Sequence, residues 1–216
     1  MRRLRRGRRL HPVHEGNALI AVLDYGMGNL RSVLRALERV GGRAAITGDP
    51  TEAARADALV VPGVGAFGAC MRNLRESGLD TVVKDAVMAD KGVLCVCVGL
   101  QVLAEGSDED PDPGLGLLPG RVRALPSTVK VPHMGWNEVR WTADHPLTRA
   151  VPDGTRMYFV HSYAADVGAD TVAVCEYGCR FSAAVARGRL FGTQFHPEKS
   201  GEPGLALYEA FVQEAP

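Results

Sequence analysis

Short apolar runs alternate with helical patterns in the first half of the chain, and this alternation restricts the possible folds more than any other feature. The apolar runs lie at 19–24, 43–46, 58–61 and 92–97. Helical patterns at 30–40, 51–55 and 79–89 separate them. Strands that alternate with helices form parallel sheets covered on both faces. The pattern therefore predicts an α/β fold with an open, mostly parallel sheet flanked by helices.

The second half of the chain has short alternating runs that are joined by turns. They lie at 121–125, 137–141, 156–160, 171–176, 183–187 and 190–194, and a last helical pattern spans 203–212. These runs predict an antiparallel β section that extends the sheet and forms one wall of a site. A length of 216 residues with 46% hydrophobic content suits a single domain, which we place at 18–216.

Residues 1–17 read MRRLRRGRRLHPVHEGN and contain six Arg, one Glu and no hydrophobic periodicity. This composition predicts a disordered, solvated extension, with a nucleic-acid or membrane tether as the alternative. The rest of the chain is net acidic, which argues against a nucleic-acid partner. No apolar stretch approaches the roughly 18 residues of a membrane span, so we expect no membrane partner either.

Five cysteines at irregular spacing favour a reducing, cytoplasmic location over a disulfide framework. Cys175 and Cys179 form at most half of a zinc site, and no second pair completes it, so we expect no metal. The stretch GMGNLRS at 26–32 lacks the third glycine of a dinucleotide-binding loop. The sequence contains no motif for an organic cofactor.

The run GVLCVCVGLQVL at 92–103 has the pattern of a strand that turns sharply into a helix at Cys97. A nucleophile in such a turn projects above the sheet, and the next backbone N–H faces an incoming oxyanion. The alternative is a buried core cysteine, since Cys is among the most buried residue types. This stretch alone leaves both interpretations open.

The glycine-containing loops at 25–29 and 62–69 follow the first and third predicted strands, so we expect them to be neighbours at one edge of the sheet. PGVGAFGA at 62–69 allows close approach of backbone amides to a ligand, with an ordinary tight turn as the alternative. In FHPEKS at 195–200, which follows the last predicted strand, Glu198 stands two residues after His196 and can orient the imidazole, although such pairs are also common on polar loops without a function. Another loop, at 105–114, has five acids and two prolines, which predicts an exposed, mobile segment.

Together, the turn at Cys97, the glycine loop and the HPEKS run resemble the class I, triad-type glutamine amidotransferases. Three further stretches resemble, within that superfamily, the HisH family of glutaminase subunits of imidazole glycerol phosphate synthase. They are DYGMGNLRS at 24–32, PHMGWN at 132–137 and YFVHSY at 158–163. The resemblance covers 19–212 and implies the flavodoxin-like fold of that superfamily.

The resemblance implies a role for each matching residue. Cys97 is the expected nucleophile, His196 its general base and acid, and Glu198 the group that orients His196. The expected oxyanion and substrate contacts are Gly63, Val64, Gly65, Val98, Gln101, Ser162 and Tyr163. The expected partner contacts are Asn29, Met134, Trp136, Asn137, Tyr158, His161 and Lys199.

The implied activity is hydrolysis of L-glutamine to glutamate and ammonia through a cysteine thioester. The implied partner is a (β/α)₈ barrel synthase subunit in a heterodimer. That partner uses the ammonia to make imidazole glycerol phosphate and an aminoimidazole carboxamide ribotide in histidine biosynthesis. A paralogous subunit that serves another ammonia acceptor is the alternative, and a non-catalytic interaction subunit is a second one.

Cys95 is the position where this chain departs from the family pattern, which usually has glycine two residues before the nucleophile. Residues two apart on a strand face the same side. We therefore expect Cys95 to crowd the helix over the turn or, when oxidised, to interfere with Cys97.

Overall fold

The computed structural model of the protein describes residues 18–215. The Arg-rich extension predicted at 1–17 lies outside these described residues. No helix within them is both long and apolar enough to cross a membrane.

The first half alternates strands and helices as predicted. Its elements are β1 (Leu19–Leu23), α1 (Leu30–Arg39), β2 (Arg43–Thr47), α2 (Pro50–Arg55), β3 (Ala58–Gly63), α3 (Phe67–Glu76), α4 (Leu79–Met88), β4 (Gly92–Cys97) and α5 (Val98–Gln101). Helix α3 was not predicted, although its buried residues Phe67, Cys70, Met71 and Leu74 have helical spacing. The glycine loop is therefore shorter than expected.

The second half contains the remaining strands and two more helices. They are β5 (Gly106–Ser107), β6 (Arg121–Ala124), β7 (His133–Glu138), β8 (Arg140–Trp141), α6 (Pro146–Arg149), β9 (Arg156–His161), β10 (Tyr163–Ala165), β11 (Thr171–Glu176), β12 (Arg180–Arg187), β13 (Leu190–Thr193) and α7 (Gly201–Glu214). A 3₁₀ turn at Pro197–Lys199 precedes α7.

The main sheet has the order β2-β1-β3-β4-β13-β12-β11-β8. Strands β2, β1, β3, β4 and β13 are parallel, and the remaining three pair antiparallel. The predicted fold class, a mostly parallel sheet with an added antiparallel section, is confirmed.

Part of the second half does not extend the main sheet, which corrects the prediction made above. Strands β10, β6 and β5 form one small sheet, and β7 pairs with β9 in another. The run predicted as one strand at 137–141 is divided between β7 and β8. Pairing of β7 with β9 places His133 opposite His161 and Trp136 opposite Tyr158.

Strand β13 lies beside β4, although the two are far apart in the chain. Thr193 pairs with Val96 in this parallel register, and on the other side of β4 Gly63 pairs with Cys97. All four residues of β13 are buried, as is usual for a parallel strand covered on both faces. The carboxyl ends of β3, β4 and β13 therefore meet at one edge of the sheet.

The acidic loop at 105–114 was predicted to be exposed, and this is wrong for part of it. Gly106 and Ser107 are buried and pair with β6. The Glu109 Oε2 atom accepts a hydrogen bond from the Phe67 N–H at 2.8 Å. Arg72 forms an ion pair with Asp112 at 2.8 Å. Glu109 thus binds the start of α3, and Asp112 binds the arginine of that helix. These two contacts anchor the loop at the edge of the site.

Helix α7 packs directly on the turn that carries His196 and Glu198. A Cβ atom placed on Gly204 would lie 1.9 Å from the Pro197 carbonyl oxygen. Because no side chain fits between them, Gly204 sets the separation between α7 and this turn.

We predict that Gly204→Ala lowers the free energy of unfolding by about 1–3 kcal/mol, because the new methyl group forces α7 away from Pro197. Helix propensity alone would make Gly204→Ala more stable by up to about 1 kcal/mol. A loss of stability would therefore identify the contact with Pro197 as its cause. Urea unfolding measures it. Gly168→Ala is the matched control because nothing lies within 4 Å of its added Cβ. Equal stability of the two variants would contradict this prediction.

Candidate active site

Cys97 lies at the end of β4 in a backbone conformation that non-glycine residues rarely adopt. Its φ is 57° and its ψ is −112°. A Cβ atom on Gly99 would lie 2.0 Å from the Val61 carbonyl oxygen, and one on Gly63 would lie 2.4 Å from the Gly99 nitrogen. The end of β3 and the start of α5 are thus in backbone contact, which makes the turn at Cys97 sharp.

His196 and Glu198 form a buried pair beside this turn. The Nδ1 atom of His196 lies 2.8 Å from Oε1 of Glu198, and the side chains are 2% and 1% exposed. Burial lowers the pKa of His196, but the nearby Cys97 sulfur and the hydrogen-bonded Glu198 carboxylate outweigh it and raise the pKa to about 9. The imidazole is therefore positively charged at neutral pH.

Three buried polar atoms, two of them in this pair, have no hydrogen-bond partner within the described part of the chain. They are Nε2 of His196, Oε2 of Glu198 and the hydroxyl of Tyr208. The Cys97 sulfur is near enough to raise the pKa of His196, yet it forms no hydrogen bond with Nε2. Burial, followed by the charge of Glu198, raises the pKa of Tyr208.

A cavity of about 390 Å³ opens at this edge of the sheet. It is lined by Val64, Gly65, Cys97, Val98, Gln101, Glu109, Pro132, Val160, His161, Ser162, Tyr163, His196 and Lys199. The structure therefore brings together the expected nucleophile, its base and most of the expected substrate contacts. Gly63 and Glu198 lie behind the lining, next to Cys97 and His196 respectively.

The sequence analysis missed Glu109, whose side chain lines the cavity. It lies in the acidic loop, outside the recognised stretches. The hydrogen bond from the Phe67 N–H fixes one of its carboxylate oxygens. The one sequence signal for Glu109 as a cavity residue was its acidic side chain in a loop that lies shortly after the turn at Cys97.

Gln101 is held by two acceptors rather than pointing freely into the cavity. Its Nε2 atom donates to the Tyr163 carbonyl oxygen at 2.8 Å and to Oε1 of Gln194 at 3.0 Å. Gln194, which the sequence analysis also missed, places its Nε2 atom 3.7 Å from the Cys97 sulfur. A buried carboxamide therefore contacts the expected nucleophile.

His133 and His161 form a second buried pair on β7 and β9. The Nδ1 atom of His133 lies 3.0 Å from Nε2 of His161, whose Nδ1 atom lies 2.9 Å from the Tyr163 carbonyl oxygen. Burial lowers the pKa of His133 to about 4 and that of His161 to about 3. His161, which the sequence analysis expected at a partner surface, is only 6% exposed and lines the cavity.

The other expected partner contacts are at least partly exposed. Met134 is 64% and Trp136 49% exposed, and the Trp136 ring packs edge-on against Tyr158 at 6.1 Å. The Lys199 ammonium lies 5.7 Å from the centre of the Tyr158 ring. Asn29, which precedes α1, and Asn137 on β7 are half-buried. An exposed apolar surface therefore borders the cavity.

Cys95 is fully buried, and burial raises its pKa. Its neighbour in register on β13 is Gly192, which has no side chain to compete for the same space. All five cysteines are free. Across 18–215, no cluster of three or more His, Cys, Asp or Glu side chains could hold a metal ion.

We predict that acid destabilises the protein through His161, because its folded pKa is about 3 whereas the unfolded value is 6.5. Above pH 6.5 the ring is neutral in both states and contributes nothing. As the pH falls towards 3, only the unfolded state gains the proton, which costs the folded state about 2 kcal/mol by pH 5. In His161→Asn, the stability lost between pH 7 and pH 5 should be smaller by that amount, as measured by urea unfolding. Equal losses in the two proteins would contradict this.

Comparison with known proteins identifies the family. Residues 21–215 match the family described as "Glutamine amidotransferase class-I". The imidazole glycerol phosphate synthase subunit HisH of Aromatoleum aromaticum is 49% identical over 210 residues, which cover 91% of this chain and 99% of that protein. The HisH subunit of Methanosarcina acetivorans is 48% identical over 199 residues, which cover 90% and 98%.

Solved structures show the same fold at low sequence identity. PurLQS from Thermotoga maritima has a TM-score of 0.71 at 22% identity, covering 92% of this chain and 99% of that one. A structure described as a glutamine amidotransferase also has a TM-score of 0.71 at 22% identity, covering 91% and 98%. The resemblance stated from the sequence is confirmed: the chain belongs to the class-I glutamine amidotransferase family and groups within it with the HisH subunits.

Proposed function

We propose that this chain is the glutaminase subunit of an imidazole glycerol phosphate synthase, and that Cys97, His196 and Glu198 perform its chemistry. The observation that carries the proposal is the strained turn at Cys97, which opens into the same cavity as His196. The HisH relatives support the choice of pathway because their names assign them to imidazole glycerol phosphate synthase.

The reaction begins when the Cys97 thiolate, whose proton His196 has taken, attacks the side-chain amide carbon of L-glutamine and forms a C–S bond. The C–N bond then breaks, and ammonia leaves with a proton from His196. Water attacks the thioester, His196 takes a proton from that water, and the C–S bond breaks to release glutamate. The raised pKa of His196 suits this sequence because the ring holds the proton that the leaving nitrogen needs.

The oxyanion formed at each attack lies next to the backbone N–H of Val98 and the loop formed by Gly63, Val64 and Gly65. The contact between Gly63 and Gly99 holds this loop against the start of α5. Loss of one such donor typically costs about a hundredfold or more in rate.

Glu109 is the side chain in the cavity that suits the α-ammonium group of glutamine. Its carboxylate lines the cavity, whereas the carboxylate of Glu198 is bound to His196. The backbone of Ser162 and Tyr163 borders the same space, and Gln101 fixes the Tyr163 carbonyl. The groups proposed to bind the substrate are therefore different from the groups proposed to react with it.

The proposed partner is a (β/α)₈ barrel synthase subunit in a cytoplasmic heterodimer. The exposed side chains of Met134 and Trp136, with Tyr158 and Lys199 next to them, supply an apolar and cationic surface at the cavity border. A partner that covers this surface receives ammonia from the cavity without loss to solvent.

We predict that Cys97→Ala abolishes glutamine-dependent synthesis by the complex, with a loss of roughly a thousandfold or more, because no thioester can form. Synthesis from added ammonium should persist, since the acceptor site is in the partner. Cys179→Ala, which removes an exposed free cysteine, is the control and should behave as wild type. A glutamine-dependent rate that survives in Cys97→Ala would refute the assignment.

We predict that Glu109→Gln raises KM for glutamine about tenfold or more with a smaller change in kcat, because the α-ammonium loses its counter-charge. The Gln oxygen can still accept from the Phe67 N–H, so α3 keeps its anchor. Steady-state glutaminase assays of the complex measure both constants. Glu105→Gln, the same substitution in the same loop but outside the cavity lining, keeps an oxygen for the Gly120 N–H and should leave KM unchanged. An unchanged KM in Glu109→Gln would exclude this role.

A further inference from the structure

Gln194 is a fully buried polar side chain to which the proposed mechanism gives no role. It follows β13 directly and precedes His196 by two residues, and its exposed fraction is 0%. Burial of a carboxamide is costly unless each polar atom is paired. Its Oε1 atom accepts from Gln101 at 3.0 Å, and its Nε2 atom lies 3.7 Å from the Cys97 sulfur.

The orientation of this carboxamide follows from its neighbours. Gln101 faces two oxygens, the Tyr163 carbonyl and Oε1 of Gln194, and only its Nε2 atom can donate to both. If Gln194 were turned over, two nitrogens would face each other and its oxygen would face the sulfur. The arrangement observed therefore directs an N–H donor at Cys97.

The Tyr163 carbonyl that anchors Gln101 is itself fixed by His161. The Nδ1 atom of His161 must donate to that carbonyl at 2.9 Å, because a carbonyl oxygen only accepts. The neutral ring then accepts at Nε2 from Nδ1 of His133 at 3.0 Å. The donor and the acceptor are thus fixed in each hydrogen bond that links the buried histidine pair to Gln194.

We propose that Gln194 is a catalytic residue that donates its carboxamide N–H to the sulfur of Cys97, and that Gln101 is the positioning residue that fixes this orientation. The inference rests on the proposed function. A thiolate is a much stronger hydrogen-bond acceptor than a thiol, so the bond strengthens when the sulfur carries negative charge. That occurs before the sulfur attacks the amide and again when the C–S bond of the thioester breaks.

Two substitutions remove the donor in different ways. Gln194→Leu replaces the carboxamide with a branched apolar side chain, and Gln194→Met keeps the approximate shape without any polar atom. In the complex with the synthase subunit, both should lower kcat for glutamine hydrolysis by about tenfold to a hundredfold. KM should stay within about twofold, because the substrate contacts are untouched.

A second measurement separates this role from a structural one. Alkylation of Cys97 by iodoacetamide in the complex, followed by peptide mass spectrometry, reports on the sulfur without any glutamine. Its rate should fall in both variants in parallel with kcat. Thr193→Val is the matched control, because it removes a buried hydroxyl that bonds the Phe195 carbonyl at 3.0 Å and does not touch the sulfur. It should retain the wild-type kcat and alkylation rate.

The outcomes distinguish this inference from the proposed function. If wild-type complex hydrolyses glutamine, Cys97→Ala does not, and both Gln194 variants retain wild-type kcat and alkylation rates, the role of Gln194 is overturned. If Cys97→Ala retains glutaminase activity, the proposed function itself fails. A fall in kcat and alkylation that Thr193→Val shares equally also overturns the inference, because it would reflect disturbed packing.

The positioning role of Gln101 is tested by a double-mutant cycle on kcat. Gln101→Leu has no donor for Gln194, so the Gln194 carboxamide loses the bond that fixes its orientation and the rate should fall. Once Gln194→Met has removed the carboxamide, Gln101→Leu should lower kcat by no more than about twofold further. If the two losses multiply instead, Gln101 does not act through Gln194.

Discussion

The conformation of Cys97 is the constraint on which the rest of the site depends. A cysteine at φ 57° and ψ −112° is sterically strained, and such strain persists only where the surrounding structure enforces it. Here the enforcement comes from two glycines. Gly63 and Gly99 allow the ends of β3 and α5 to touch through their backbones, and a side chain on either would separate them. The turn therefore depends on a contact between segments more than thirty residues apart, and β4 alone does not determine it.

The polar groups around the sulfur divide into a charged side and a neutral side. His196 and Glu198 supply the charged side, where the raised pKa of the imidazole keeps it protonated. Gln194, Gln101 and the buried histidine pair form the neutral side, where low pKa values keep both rings uncharged. Opposite pKa shifts therefore act on imidazoles within one site: the Cys97 sulfur and the Glu198 carboxylate raise the pKa of His196, and burial lowers the pKa values of His133 and His161.

Several features of the site could be predicted from the sequence because they depend on local chemistry. The turn residues around Cys97 and the short spacing between His196 and Glu198 are of this kind. The alternation of strands and helices also predicted that the loops would share one edge of the sheet. Glu109 and Gln194 could not be predicted in the same way. Gln194 reaches the sulfur only because β13 pairs with β4 at one register, and Glu109 reaches the cavity only because its loop folds back onto α3. The separate pairing of β7 with β9 likewise depends on long-range register, which periodicity within one strand does not contain.

The position of β13 in the sheet also has a consequence for biosynthesis. Strand β4, the fourth of the five parallel strands, receives its second neighbour only when residues 190–193 have left the ribosome. Until then, β4 presents an unpaired hydrogen-bonding edge, which is a template for intermolecular pairing. A nascent or truncated chain that ends before β13 would contain β2-β1-β3-β4 and β12-β11-β8 with no strand to join them. A chain without β13 would therefore expose the edge of β4 to pairing with other chains.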